Sequence, residues 1–97
     1  MIDLAGKPFG LNREKADWVS RTLDSMTLEE KLGQMFMDLS YGNYEEDYVK
    51  QRLQKTKSGG LRYMNMTARE MLEHNKMYQK HSKIPLLIAA NIEAGGN

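Results

Sequence analysis

The chain contains no cysteine, so neither a disulfide framework nor a thiolate metal site can be built from it. Its first ten residues hold no basic segment followed by an apolar run, the pattern a secretory leader needs. These two absences are what a cytoplasmic protein would show, and that location is the expectation. No apolar stretch is long enough to cross a bilayer. Charge of one sign is lacking too: the 97 residues sum to +1, which leaves no electrostatic footprint for nucleic acid or an anionic membrane. There is no G-x-G-x-x-G nucleotide fingerprint, since Leu39 is followed only by Ser40-Tyr41-Gly42-Asn43. His74 and His81 are two helical turns apart rather than at the i, i+4 spacing of paired metal ligands. They read as surface or helix-end histidines, and no cofactor or metal is implied.

What is present is an ordinary composition, 40% hydrophobic and 28% charged, sufficient for one small domain with a modest core. Eight methionines are many for this length and read as adaptable core filler. Residues 1–11 mix Gly6, Pro8 and Gly10 with scattered apolar residues and read as an irregular lead-in. From Asn12 the spacing of Ala16, Val19, Leu23 and Met26 predicts a helix, with Trp18 off its stripe. Thr27 and Glu30 make a capping box for a short helix through about Leu32. Gly33 to Leu39 then reads as a strand.

Tyr41-Gly42-Asn43 reads as a turn, with Asn43 and Glu46 as a second candidate box. Tyr44, Tyr48, Val49 and Leu53 form the stripe of a helix ending near Lys55–Lys57, where cations suit the dipole. Ser58-Gly59-Gly60 supplies the stop, with a glycine taking the positive φ. Leu61 to Met64 is a second strand. Thr67 and Glu70 form a third box, and its helix runs to about Lys80 with Met71, Leu72, Asn75 and Tyr78 on one side. His81 to Lys83 is the exit loop. Strand and helix alternate with short joins, which predicts a parallel sheet with right-handed crossovers.

The last stretch organises the rest. Leu86 to Ala90 is an unbroken apolar run with Pro85 at its head, the pattern of a parallel strand covered on both faces. Polarity switches at once to Asn91, Glu93 and Gly95-Gly96. Polar groups and glycines just past the C-terminal end of such a strand are where α/β enzymes place their sites. Arg62 and Tyr63 on the second strand, Asn65 after it, and Asp38 near the end of the first are weaker candidates.

Three features in order resemble the start of glycoside hydrolase family 3. Residues 26–35, Met-Thr-Leu-Glu-Glu-Lys-Leu-Gly-Gln-Met, are similar to its opening helix and first strand. Gly59-Gly60-Leu61-Arg62-Tyr63 is similar to its second strand, and residues 84–96 to its Pro, apolar run, Asp-x-Glu-Gly-Gly-Arg segment. The resemblance covers roughly residues 15–97. It implies a (β/α)₈ barrel that hydrolyses β-linked sugars, β-N-acetylglucosaminides or β-glucosides, with retention, through a carboxylate nucleophile and a separate proton donor. In that family both lie downstream of this strand, and nothing in residues 1–97 matches either. A barrel takes about 250 residues, so the expectation is its first three βα units, incomplete here and inactive alone.

The resemblance assigns Asn91 the place of a sugar-hydroxyl binder, usually an aspartate; an amide keeps an acceptor, adds donors and loses the charge. Glu93, with Gly95 and Gly96, is expected to support the loop rather than take part in chemistry. Ala94 stands where the family has its first glycine and Gly96 where it has an arginine. The partner implied is a carbohydrate bound by the full-length protein. An unclosed barrel would leave sheet edges and an apolar face open, so the 97 residues alone are expected to self-associate. The alternatives are a small α/β ligand-binding module or an interaction domain, complete as given. The missing glycine fingerprint weighs against the first, and a chain that stops in a site-like loop weighs against the second.

Overall fold

The computed structural model describes residues 2–40, 42 and 44–91. The chain divides into two compact units, Met1–Lys31 and Leu32–Asn97. In the first, Asp3 Oδ1 accepts from the Ala5 and Gly6 amides at 3.0 and 3.1 Å. The Leu11 amide donates to the Leu4 carbonyl at 2.9 Å, so the lead-in is a closed series of turns. Asn12 caps α1 (Arg13–Ser25), its Oδ1 accepting from the Lys15 amide at 3.0 Å. The stripe has the expected spacing and partial cover: Ala16 and Val19 are half-buried, Leu23 is exposed, and Met26 is buried. Thr27 and Glu30 make the expected capping box, with reciprocal bonds of 2.8 and 3.2 Å. Helix α2 (Leu28–Gly33) follows.

In the second unit, β1 (Met37–Ser40), β2 (Gly60–Tyr63) and β3 (Leu87–Ala90) form a parallel sheet in the order β1-β2-β3. Helices α3 (Glu46–Thr56) and α4 (Ala68–His81) are the two crossovers. Right-handed crossovers between sequential neighbours carry both helices to one face, and α3 and α4 do pack on each other. The core lies on that face: Val49, Leu53, Leu61, Tyr63, Tyr78 and Leu86. Each such side chain, fully buried, contributes roughly 1.5–3 kcal/mol.

Several expectations are corrected. The first strand begins at Met37, not Gly33. Gly33 ends α2, and a Cβ there would stand 2.4 Å from the Lys57 carbonyl oxygen, so close approach of two backbones fixes this glycine. The αL position closing α3 is Lys57 (φ 51°), not a glycine; Gly59 is required instead because a Cβ on it would stand 2.2 Å from the Gln34 oxygen. Glu45, without a side-chain capping bond, is the N-cap of α3. Asn43, expected in that role, lies outside the described residues. His81 is the last residue of α4 rather than part of the exit loop.

Helix α4 starts at the expected box, Thr67 with Glu70. Its buried residues are His74, at 4% exposure, and Tyr78. Leu72, expected on the covered side, is 53% exposed. His74 is thus a core histidine, packed between Tyr63 and Tyr78 at 6.2 Å from each ring centroid. The run Leu86 to Ala90 is not covered on both faces either: Leu86 is buried but Leu87 is 74% exposed. Strand β3 is a sheet edge, and among the described residues of this unit no layer covers the side opposite the helices.

Candidate functional site at the strand ends

Register decides which side chains share a face. Leu39 pairs with Arg62 and Arg62 with Ala89; Met37 pairs with Gly60 and Gly60 with Leu87. In a parallel sheet paired residues point the same way and successive residues alternate. Since Leu61 and Tyr63 face the helices, these six residues form the open face. Met37 is 48% exposed and Leu87 74% on it. Asn91 follows Ala90 immediately and is exposed. It is the next position in the alternation of Leu87 and Ala89, one residue past the C-terminal end of β3.

Of the weaker candidates, the register turns Asp38 and Tyr63 away from that edge and into the helix layer. Asp38 takes a two-pronged bond from Arg52 of α3, at 2.6 Å from Nε and 2.5 Å from Nη2. The guanidinium holds the Asp38 carboxyl below its ordinary range, burial opposing the shift, and Asp38 in turn raises Arg52. Arg52 also donates to the Tyr48 hydroxyl at 2.8 Å. Burial pushes the Tyr63 hydroxyl up to about 12, and that hydroxyl donates to Asn75 Oδ1. Tyr63 is part of the core, and Asp38 ties β1 to α3. Asn65 is exposed in the loop after β2. Arg62 remains: it is half-buried on the open face, and its Nε is shielded from water without a hydrogen-bond partner. Glu93, Gly95 and Gly96 lie outside the described residues.

A groove of about 330 Å³ opens elsewhere, lined by Glu46 of α3 and by Glu73, His74, Lys76, Met77 and Lys80 of α4. Its charges neutralise one another. Glu46 accepts from Lys80 at 2.8 Å and meets His81 Nε2 at 2.6 Å, which hold its carboxyl down to about 2; Glu73 accepts from Lys76 at 3.2 Å. The groove belongs to the helix layer, so it is not the strand-end site. The burial of His74 was missed in the sequence, although spacings of three and four link it to Met71 and Tyr78, a signal that could have found it.

A parallel sheet with strands in chain order, helices on one face and polar groups past the strand ends is the arrangement of α/β enzymes. No protein-family model matches the chain. All 97 residues align at 35% identity with a β-N-acetylglucosaminidase/β-glucosidase of Cellulomonas fimi, of which they span 17%. Among solved structures, β-glucoside phosphorylase BglX bound to 2FGlc matches 97% of the chain at 36% identity and a TM-score of 0.79, over 17% of that protein. A second structure of β-glucoside phosphorylase BglX matches 97% of the chain at 36% identity and a TM-score of 0.76, over 16% of its length. These matches bear out the resemblance to glycoside hydrolase family 3, and the chain spans about a sixth of the length of the proteins it matches.

Proposed function

We propose that these residues are the opening part of a (β/α)₈ barrel in an enzyme that cleaves terminal β-linked glucosides or N-acetylglucosaminides with retention. The alignment of the whole chain with β-glycoside-cleaving proteins, at 35–36% identity, carries this reading. The three strands in chain order support the barrel. In the proposed reaction a carboxylate supplied outside these residues attacks the anomeric carbon. The glycosidic oxygen leaves with a proton from a separate acid, and an ester links sugar and enzyme. An acceptor then breaks that ester and restores the carboxylate.

Asn91 supplies a hydrogen-bonding amide to a sugar hydroxyl at the mouth. Glu93, Gly95 and Gly96 support the loop that carries it. The acceptor divides two versions of the function. Water gives hydrolysis, as the name of the Cellulomonas fimi relative implies; inorganic phosphate gives a sugar phosphate, as the names of the solved neighbours imply. Nothing in residues 1–97 is assigned to the acceptor. The test is release of chromophore from aryl β-glucosides and β-N-acetylglucosaminides by the full-length protein, with and without inorganic phosphate. Turnover on either sugar supports the reading, and acceleration by phosphate with sugar-phosphate product selects phosphorolysis. A folded full-length protein that releases no chromophore under any of these conditions overturns it.

A further inference from the structure

We propose that Arg62 is a second sugar-holding residue, acting with Asn91 to grip adjacent hydroxyls of the glycosyl unit at the strand ends; this rests on the β-glycoside reading above. Arg62 is the only charged side chain among the six described residues of the open face, whose other members are Met37, Leu39, Gly60, Leu87 and Ala89. The nearest strand carboxylate, Asp38, is on the opposite face and already paired with Arg52. The Arg62 Nε has lost its water without gaining a partner. An unpaired N–H shielded from water is unfavourable, so an arrangement of the guanidinium that gives its donors acceptors outside these residues is favoured. The open face offers none among its described residues.

Geometry points to the strand ends. Arg62 pairs in register with Ala89, and Asn91 is two residues further along the same alternation. From a strand spacing of about 4.8 Å and a rise of about 3.3 Å per residue, their Cα atoms lie about 8 Å apart. A long guanidinium stem can pass over the small Ala89 position, its register partner, and raise its head toward the edge. There its planar fork of donors meets two oxygens at once, which vicinal sugar hydroxyls present and water or a lone carbonyl does not. The Asn91 amide then takes the neighbouring hydroxyl, as donor or acceptor.

The experiment compares full-length wild type with Arg62→Met and Arg62→Lys on an aryl β-glucoside and on its mono-deoxy analogues, with thermal unfolding of each variant recorded. The expectation is a ten- to hundredfold loss of kcat/KM for Arg62→Met on the intact sugar. The loss should shrink to threefold or less on the one or two analogues that lack the gripped hydroxyls. Arg62→Lys keeps the charge without the fork and should fall between. If Arg62→Met lowers kcat/KM by the same factor on every analogue, or lowers only the unfolding temperature, Arg62 neutralises a carboxylate elsewhere in the barrel and the proposal is overturned. If Arg62→Met does not fold, Arg62→Lys must show the analogue-dependent loss, and a uniform loss there overturns the proposal. A wild type that cleaves no β-glycoside sinks the underlying reading; an active wild type with uniform variant losses sinks only this one.

Discussion

At Asn91, the first polar residue past an apolar strand, one amide is expected to exchange a hydrogen bond with one sugar hydroxyl. Losing a neutral hydrogen bond costs about 0.5–1.5 kcal/mol, more when a buried partner is left unpaired. Asn91→Ala in the full-length protein should therefore lower kcat/KM roughly ten- to a hundredfold with the fold intact, while Asn91→Asp keeps activity. Glu93→Gln should chiefly lower stability, because a carboxylate accepts stronger bonds from loop amides than a carboxamide does. Steady-state kinetics and thermal unfolding of the three variants separate these outcomes; unchanged kinetics for Asn91→Ala would reduce Asn91 to a strand cap. Asp38 should behave in the opposite way, with no kinetic effect and a large structural one. Its carboxyl titrates below its unfolded value because of Arg52, so its stabilisation is complete above about pH 4 and fades as pH falls through the lower folded value. Asp38→Asn should weaken the β1–α3 contact by roughly 1.5–3 kcal/mol at neutral pH, and the deficit should vanish in acid. Hydrogen exchange of the β1 amides as a function of pH measures it.

Among the elements, those specified by local chemistry were legible in the sequence. The boxes Thr27–Glu30 and Thr67–Glu70 set the starts of α2 and α4, because a cap and its partner are three residues apart in any fold. Contacts between distant segments were not legible. The start of β1 slid from Gly33 to Met37 because Gly33 is pressed on Lys57, 24 positions later, a constraint no local pattern carries. The helix-side placement of Asp38 and Tyr63 follows from register, which an apolar run leaves undetermined. The run at Leu86 to Ala90 reported burial that this unit does not supply, since Leu87 stands 74% exposed. At the site, Asn91 could be read as the first polar residue after the strand. Arg62 could only be ranked low until its face and its missing partner were seen. The glycine contacts give a sharp prediction. Gly59→Ala would force the Gln34 backbone to move and should destabilise by roughly 1–3 kcal/mol or more, whereas Gly42→Ala, with nothing within 4 Å of the new Cβ, should stay within about 0.5 kcal/mol. Equal effects in thermal unfolding would refute the close-approach account.

Taken as a molecule, the 97 residues present Met35, Phe36 and Leu87 at 79%, 67% and 74% exposure beside unpaired strand edges. Such a surface promotes association. Expressed alone, the chain should gain mass with concentration in sedimentation or light scattering, and should release no chromophore from aryl β-glycosides. A cooperative monomer at all concentrations would instead favour a small self-sufficient module. In the enzyme proposed above, these residues hold the sugar while the reacting carboxylate comes from elsewhere in a longer chain. The most direct test of this division is to inactivate the full-length protein with a 2-deoxy-2-fluoro β-glucoside and map the covalently labelled peptide by mass spectrometry. One glycosyl unit per active chain is expected, esterified to a carboxylate outside residues 1–97, with Asn91→Ala slowing the labelling. A label on Glu93 or Asp38, or an active enzyme that never accumulates a covalent adduct, would contradict it.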